Sequence, residues 1–446
     1  MSGQRGSLIT VEIEKPAAGG RMLARHEGQV VLVWGAIPGE RVRARIERVG
    51  RGVMFAETSE VLVPSADRRA AGGDWRCGGN VFAHIVYARQ TTLKAEIIRD
   101  TLGRIGRVWL SALPAVVASP ERGYRMRARL HARDRRLGFL LEGTHQLCDA
   151  ATTGQLLPET LAWVADTERV MVQAHLKGLA GIELAENAQG GERVCHLHLA
   201  AGTDAPPFAR LADGGQLTGL SAERADRIGV EQLMGSAFVS DVVTTRAGDG
   251  PLTVQLRHHV RAFFQGNRFL LEPLVRHVAG RVPSGPVVDL YAGVGLFGLA
   301  LAAAGRDGIT LVEGDPVSGA DLAFNAEPYG PRVSVVRCSV ERFLLGTGPP
   351  DTTVATAARR TVTAATVILD PPRTGISKDA LRSLVRAQPA HLVYVSCDIA
   401  TLARDARALL DGGYALDGVT GIDLFPNTAH VETVASFTRS KTFTGC

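Results

Sequence analysis

Two short β-branched runs end on residues able to do chemistry: Asp370 closes VILD ahead of PPR, and Cys397 closes HLVYVSC. Both runs have the pattern of buried parallel strands. In an open α/β sheet the ligand crevice lies beyond the carboxyl ends of the strands, so a carboxylate and a thiol are expected at one site. A thiol there can act as a nucleophile, although cysteine is more often a small buried hydrophobe, and Asp before Pro often only caps a turn. Upstream, VVDLYAGVGLFGLALAAAG reads as strand, glycine turn and apolar helix. Gly293 and Gly295 let the backbone pass close to a ligand at the helix N-terminus. The next strand, GITLVE, ends on Glu313, where an acidic residue can hold a ribose diol. Gly298 completes a G-x-G-x-x-G counted from Gly293, which keeps NAD as a rival to another nucleoside cofactor.

A chain of 446 residues leaves room for two or three domains to carry these groups. From Leu8 to about Pro64, short strands alternate with turn signals, the pattern of a small β-barrel. Leu93, Ile97, Ile98, Leu102 and Ile105 mark an amphipathic helix closed by glycine. From Leu156 to about Val260 the sequence reads as alternating strand-like pieces and turns, with no chemical signal of its own. Net charge is +5 and pI about 9.0, a weak pointer to an acidic partner. The distribution is sharper: ten arginines between Arg99 and Arg136 face three acids, and Arg125, Arg127 and Arg129 alternate as one strand face. No apolar run has the length of a membrane span and the N-terminus lacks a signal-peptide pattern, so the expected compartment is the cytoplasm. The six cysteines have no paired spacing and are expected to be free thiols.

Several phrases resemble the RNA uracil-5-methyltransferase family. Gly20, Ala24, Arg25 and the block VVLVWGAIPGERVRARI resemble the TRAM domain, an RNA-binding barrel appended to some of these enzymes. DWRCGGNVFAHIVYARQTTLK resembles the family's CGGCxxQHxxYxxQLxxK segment, and SCDIATLARD and DLFPNTAHVE match its SC[DN]xATLxRD and DxFPxTxHVE phrases. Members with an iron–sulfur cluster carry four cysteines; here Cys77 stands at one position while Ala71, Asn80 and Thr153 stand at the others. One thiolate cannot hold such a cluster, so none is expected. The resemblance implies Cys397 as nucleophile and Glu432 as general base, with His430 orienting the turn. It also implies S-adenosylmethionine bound by Gln265 of FFQGN, Tyr291, Gly293 and Gly295 of the DLYAGVG turn, Glu313, Ser339 and Asp370. The DLYAG form, DPPR and a nucleophile at a strand end favour that cofactor over NAD. Leu296 and Ser339 depart from the family, which has Asn or Thr and Asp there. The helix beginning near Ile399 is expected to lower the pKa of Cys397.

The expected fold is α/β: a C-terminal Rossmann-like methyltransferase domain over 261–446, an OB-like TRAM barrel over 1–66 and a mostly β central RNA-binding domain over 67–260. The expected activity is C5 methylation of uridine, in 23S ribosomal RNA first and the T-loop of transfer RNA second, by a monomer. An RNA-binding protein with a vestigial methyltransferase fold and a cytosine-5 methyltransferase are the rivals.

Overall fold

The computed structural model describes residues 4–247, 250–346, 362, 363 and 365–440. Five strands, β1 (Leu8–Pro16), β2 (Met22–His26), β3 (Gln29–Trp34), β4 (Arg41–Gly50) and β5 (Val53–Val63), close a barrel in the order β1-β2-β3-β5-β4. The alternation in β1 is the reason: Ile9, Val11 and Ile13 point inward while Thr10 and Glu12 face water. Helix α1 (Tyr87–Thr101) follows, unwinds into a wide turn over Leu102–Gly106, and lays Leu93, Ile97 and Ile98 into the core.

A short strand β6 (Val116–Val117) then joins the C-terminal sheet before the chain enters the central one. The central sheet contains β7 (Arg127–Arg133), β8 (Arg136–Leu140), β9 (Leu147–Asp149), β10 (Leu179–Glu186), β11 (Arg193–Leu199), β12 (Gly219–Arg224) and β13 (Val230–Gly235). Its order is β13-β12-β11-β10-β7-β8-β9. One element there corrects the strand-like reading: Pro158–Gln173 is a helix, α2. Its apolar residues Trp163, Val164 and Met171 recur at helical spacing, and Pro158 sits where a missing N–H costs nothing. The arginine alternation divides by depth: Arg129 is exposed, whereas Arg127 donates to Val260 O at 2.5 Å and Arg125 to Gln155 Oε1 at 2.6 Å.

The cysteines also require correction. Cys77 and Cys148 form a disulfide, with Cα atoms 5.7 Å apart. Cys77 bridges to Leu141 at the end of β8, and Cys148 on β9 lies opposite Phe139 on β8, so one hairpin brings the two thiols together. Cys195, Cys338 and Cys397 are free thiols, and Cys446 lies outside the described residues. With Cys77 bonded and Asn80 and Thr153 buried as neutral polar groups, these positions do not fit a four-thiolate cluster.

The hairpin β14 (Phe238–Ala247) and β15 (Gly250–His259) leads to α3 (Leu271–Ala279), and Val243, Val254 and Leu256 pack with Leu274 and Val278 in one apolar cluster. Then strands and helices alternate: β16 (Val287–Leu290), α4 (Leu296–Ala303), β17 (Ile309–Glu313), α5 (Pro316–Ala326), β18 (Val333–Arg337), α6 (Val340–Leu345), β19 (Thr366–Leu369), α7 (Lys378–Ala387), β20 (His391–Ser396) and α8 (Ile399–Asp411). Strands β21 (Tyr414–Ile422) and β22 (Glu432–Arg439) complete the sheet in the order β18-β17-β16-β19-β20-β22-β21-β6. The first five are parallel, and β16, β17, β19 and β20 are buried on both faces, which is why they read as near-continuous apolar runs, whereas the edge strand β18 is partly exposed. The strand order reverses at β16, and the crevice opens there.

Candidate active site

Five parallel strands deliver their next residues to one edge: Tyr291 and Gly293 after β16, Glu313 ending β17, Ser339 after β18, Asp370 after β19 and Cys397 after β20. Glu432 reaches the same edge by the opposite route. Strand β22 runs antiparallel to β20 with Ser396 opposite Thr433, so the first residue of β22 lies across from the residue that follows β20. All seven line one cleft of about 760 Å³, together with Gln265, Phe263, Arg373 and Phe425.

The glycine turn is built around a carboxylate. Gly293, at φ 56°, donates its N–H to Glu313 Oε2 at 2.8 Å, and Asp315 N–H donates to Oε1 at 2.6 Å. Each oxygen keeps a lone pair for a hydroxyl. Gly295 does not line the cleft; it precedes α4 at φ 100°, and a Cβ there would lie 2.5 Å from Leu299 Cδ1. Leu296 likewise turns its side chain into the apolar core. Ser339 lines the cleft and caps α6, its hydroxyl accepting Arg342 N–H at 3.3 Å.

Behind the turn, Asp289 is fully buried, with Oδ2 accepting Gly298 N–H at 2.9 Å. Burial pushes its carboxyl up to about 8, helped by the nearby Asp370 and Glu313 charges. Asp370 accepts from Gln265 Nε2 at 3.3 Å, and burial raises it to about 7. Gln265 therefore reaches the cleft through that carboxylate as well as lining it.

Cys397 overturns the expected electrostatics. Its thiol is pushed up to about 11, first by burial and then by the Glu432 and Asp370 charges, while Arg373 pulls the other way by charge and a hydrogen bond. Burial outweighs the N-terminus of α8, which Asp398 caps by accepting Thr401 N–H at 2.8 Å. Glu432 is raised well above an ordinary carboxyl by burial and by Asp370, and Arg373 again opposes. His430 is exposed, its ring edge-to-face with Phe425 at 6.1 Å.

Arg373 is a cleft residue that strand-end reasoning passes over, although it is the last letter of DPPR. Phe263, 64% exposed at the cleft, and Phe425 add aromatic surface. Two distant phrases lock together beneath them: Lys94 of α1 donates to Asp423 Oδ1 at 2.5 Å and Phe425 O at 2.9 Å, and both side chains of that ion pair are fully buried. Tyr87 Oη donates to Asp423 Oδ2 at 3.0 Å.

A doubly wound sheet with a glycine turn and an acidic second strand end is the frame of a nucleoside-cofactor-dependent enzyme, and here a thiol and a carboxylate share its crevice. Residues 253–440 match the family described as tRNA (Uracil-5-)-methyltransferase, and residues 3–58 match the TRAM domain. An RNA methyltransferase of Gloeobacter violaceus is 30% identical, the match covering 98% of this chain and 97% of that protein. The 23S rRNA (uracil(1939)-C(5))-methyltransferase RlmD of Halomonas elongata is also 30% identical, over 95% of this chain and 88% of the relative. The fold is shared with Pyrococcus abyssi tRNA (uracil-54, C5)-methyltransferase at TM-score 0.72 and 23% identity, over 96% of this chain and 99% of that one. The chain belongs to the tRNA (uracil-5-)-methyltransferase family and carries an N-terminal TRAM domain. It is an RNA uracil-C5 methyltransferase.

Proposed function

We propose that this enzyme methylates C5 of a uridine in 23S ribosomal RNA, with Cys397 as nucleophile and Glu432 as the base that removes the C5 proton. The observation that supports the roles is the placement of the two residues across the β20–β22 pair, opening into the cleft that also holds the glycine turn and Glu313. Full-length similarity to ribosomal RNA enzymes at about 30% identity supports the substrate. The name of the family and the Pyrococcus neighbour favour transfer RNA as the second reading.

S-adenosylmethionine supplies the electrophilic methyl group. Gly293, Glu313, Ser339, Asp370 and Gln265 line the part of the cleft where it would be held, with Tyr291 beside them. The carbon at C5 is too weak a nucleophile alone. Cys397 gives its proton to solvent, and its thiolate sulfur bonds to C6, which moves the C5–C6 π pair into the enolate and makes C5 nucleophilic. After methylation C5 carries both hydrogen and methyl. Glu432 takes that proton, the C–H pair restores the C5–C6 double bond, and the C6–S bond breaks to return the thiolate. Its raised basicity suits this step. Arg373 holds the thiol by a hydrogen bond and steadies its charge. The ring must be approached from its face, so the base leaves its stack, and exposed Phe263 offers a surface for it.

The chain divides in this reading into the barrel at 1–66, a central RNA-binding unit at 67–260 and the methyltransferase unit at 261–446, with the β14–β15 hairpin packed onto the last. A monomeric state belongs to this reading, and a ribosomal RNA substrate would place the enzyme in the cytoplasm. Among the described residues no helix is long and apolar enough to cross a membrane.

The test is methylation of unmodified 23S and transfer RNA transcripts with labelled S-adenosylmethionine, followed by mass-spectrometric mapping of 5-methyluridine. Methyl in 23S RNA, absent with Cys397→Ala, is expected. Methyl only in transfer RNA would replace the substrate, and activity surviving in Cys397→Ala would refute the nucleophile.

A further inference from the structure

The central sheet carries a second cluster of chemical groups, away from the methylation residues. Its origin is register. Strand β11 presents His196 and His198 on one face. Across the antiparallel pair with β10, Glu183 lies opposite His196; across the parallel pair with β12, Ser221 lies opposite His196 and Glu223 opposite His198. Three adjacent strands therefore place two imidazoles and two carboxylates together.

Their contacts are close. His198 Nδ1 lies 2.9 Å from Glu223 Oε1, and its Nε2 lies 3.1 Å from Glu183 Oε1. His196 is fully buried, with Nδ1 2.9 Å from Ser221 Oγ. With Ser221 accepting from Nδ1–H, the lone pair sits on Nε2. That Nε2 makes no hydrogen bond, and it points toward Glu223 Oε2, 3.5 Å away. A buried imidazole nitrogen without a partner is costly unless something is bound to it. Ligand atoms of His196, His198 and Glu223 all lie within 4.8 Å of one another.

We propose that His196, His198 and Glu223, with Glu183 at the rim, form a binding site for one divalent cation of the zinc class. Neutral imidazole and carboxylate are the donors such ions take, and the Ser221 contact to Nδ1 is the outer-shell partner that orients a ligating histidine. Without metal, both ring nitrogens of His198 lie within hydrogen-bond distance of carboxylates, so a cation must displace one of these contacts. Arg261 Nη1, 3.4 Å from Glu223 Oε2, is the other positive group the ion would compete with. Binding would tie β10, β11 and β12 through side chains as well as through their ladder.

Titration of the metal-stripped, full-length protein with ZnCl₂ against a chromophoric chelator tests this, with CoCl₂ as the spectroscopic probe. One equivalent of Zn²⁺ is expected, with at least a tenfold loss of affinity in both His198→Asn and Glu223→Gln. These two side chains are partly exposed, so folding of the variants is checked by an unchanged circular dichroism spectrum. The Co²⁺ complex should show visible ligand-field bands without a sulfur charge-transfer band. Equal binding by wild type and both variants, a sulfur charge-transfer band, or no stoichiometric binding would each overturn the proposal.

Discussion

Alkylation of Cys397 across pH reads the electrostatics of the cleft before any RNA is bound. An ordinary cysteine titrates at 9.0 and Cys397 at about 11. At pH 8 that leaves roughly one thiolate in a thousand, against roughly one in ten for the ordinary group, so iodoacetamide should react about 100-fold more slowly than with an unperturbed thiol. The cause can be dissected by substitution. Glu432→Gln keeps the burial and removes the largest charge contribution, so the midpoint should fall toward 9 without reaching it, a rate gain of about tenfold per unit where Glu432 is ionised. Arg373→Ala removes the opposing cation and hydrogen bond and should raise the midpoint. Rates are followed by mass spectrometry of the Cys397 peptide, with buried Cys195 as an internal unreactive thiol. A wild-type midpoint at or below 9, or a midpoint raised by Glu432→Gln, would refute the reasoning. The expected result means that Cys397 rests as a thiol in the free protein.

Two further predictions concern stability. Asp289 has a folded-state pKa of about 8 against 3.8 unfolded, so the folded protein binds the extra proton between these values. Its contribution is fully present below pH 4 and lost as pH rises through 8, by up to about 6 kcal/mol over the window. Asp289→Asn should flatten the fall in urea midpoint between pH 5 and 9, and an unchanged slope would remove Asp289 as its source. Lys94→Met strands Asp423 as a buried charge and should cost about 3–5 kcal/mol in chemical denaturation, with the double change Lys94→Met, Asp423→Asn recovering part of it. A loss below about 1 kcal/mol would show that water reaches the pair.

Much of the site was legible because it is local. A strand that ends on Asp370 or Cys397 must deliver that residue to the carboxyl edge of a parallel sheet, whatever else the chain does. The glycine turn with Glu313 one strand later, the alternation that closes the N-terminal barrel and the phrases around Cys397 and Glu432 all depend on residues near one another in the chain. Local pattern failed at Pro158–Gln173, a helix whose apolar face is interrupted by polar residues, among them Thr160 and Thr167, buried under the sheet.

What the tertiary structure alone decided are the pairings and the fields. The antiparallel register of β22 on β20 puts Glu432 across from Cys397, and one hairpin joins Cys77 to Cys148 over a separation of 71 residues. Lys94 and Asp423 meet across 329 positions, and three strand registers gather His196, His198, Glu183 and Glu223. The upward shift of Cys397 is of the same kind. Ionisation depends on burial and on every charge within a few ångströms, and those distances are set by how separate elements pack. Residue type and strand position therefore determined which groups reach the cleft, while packing determined which of them meet and how strongly each holds its proton.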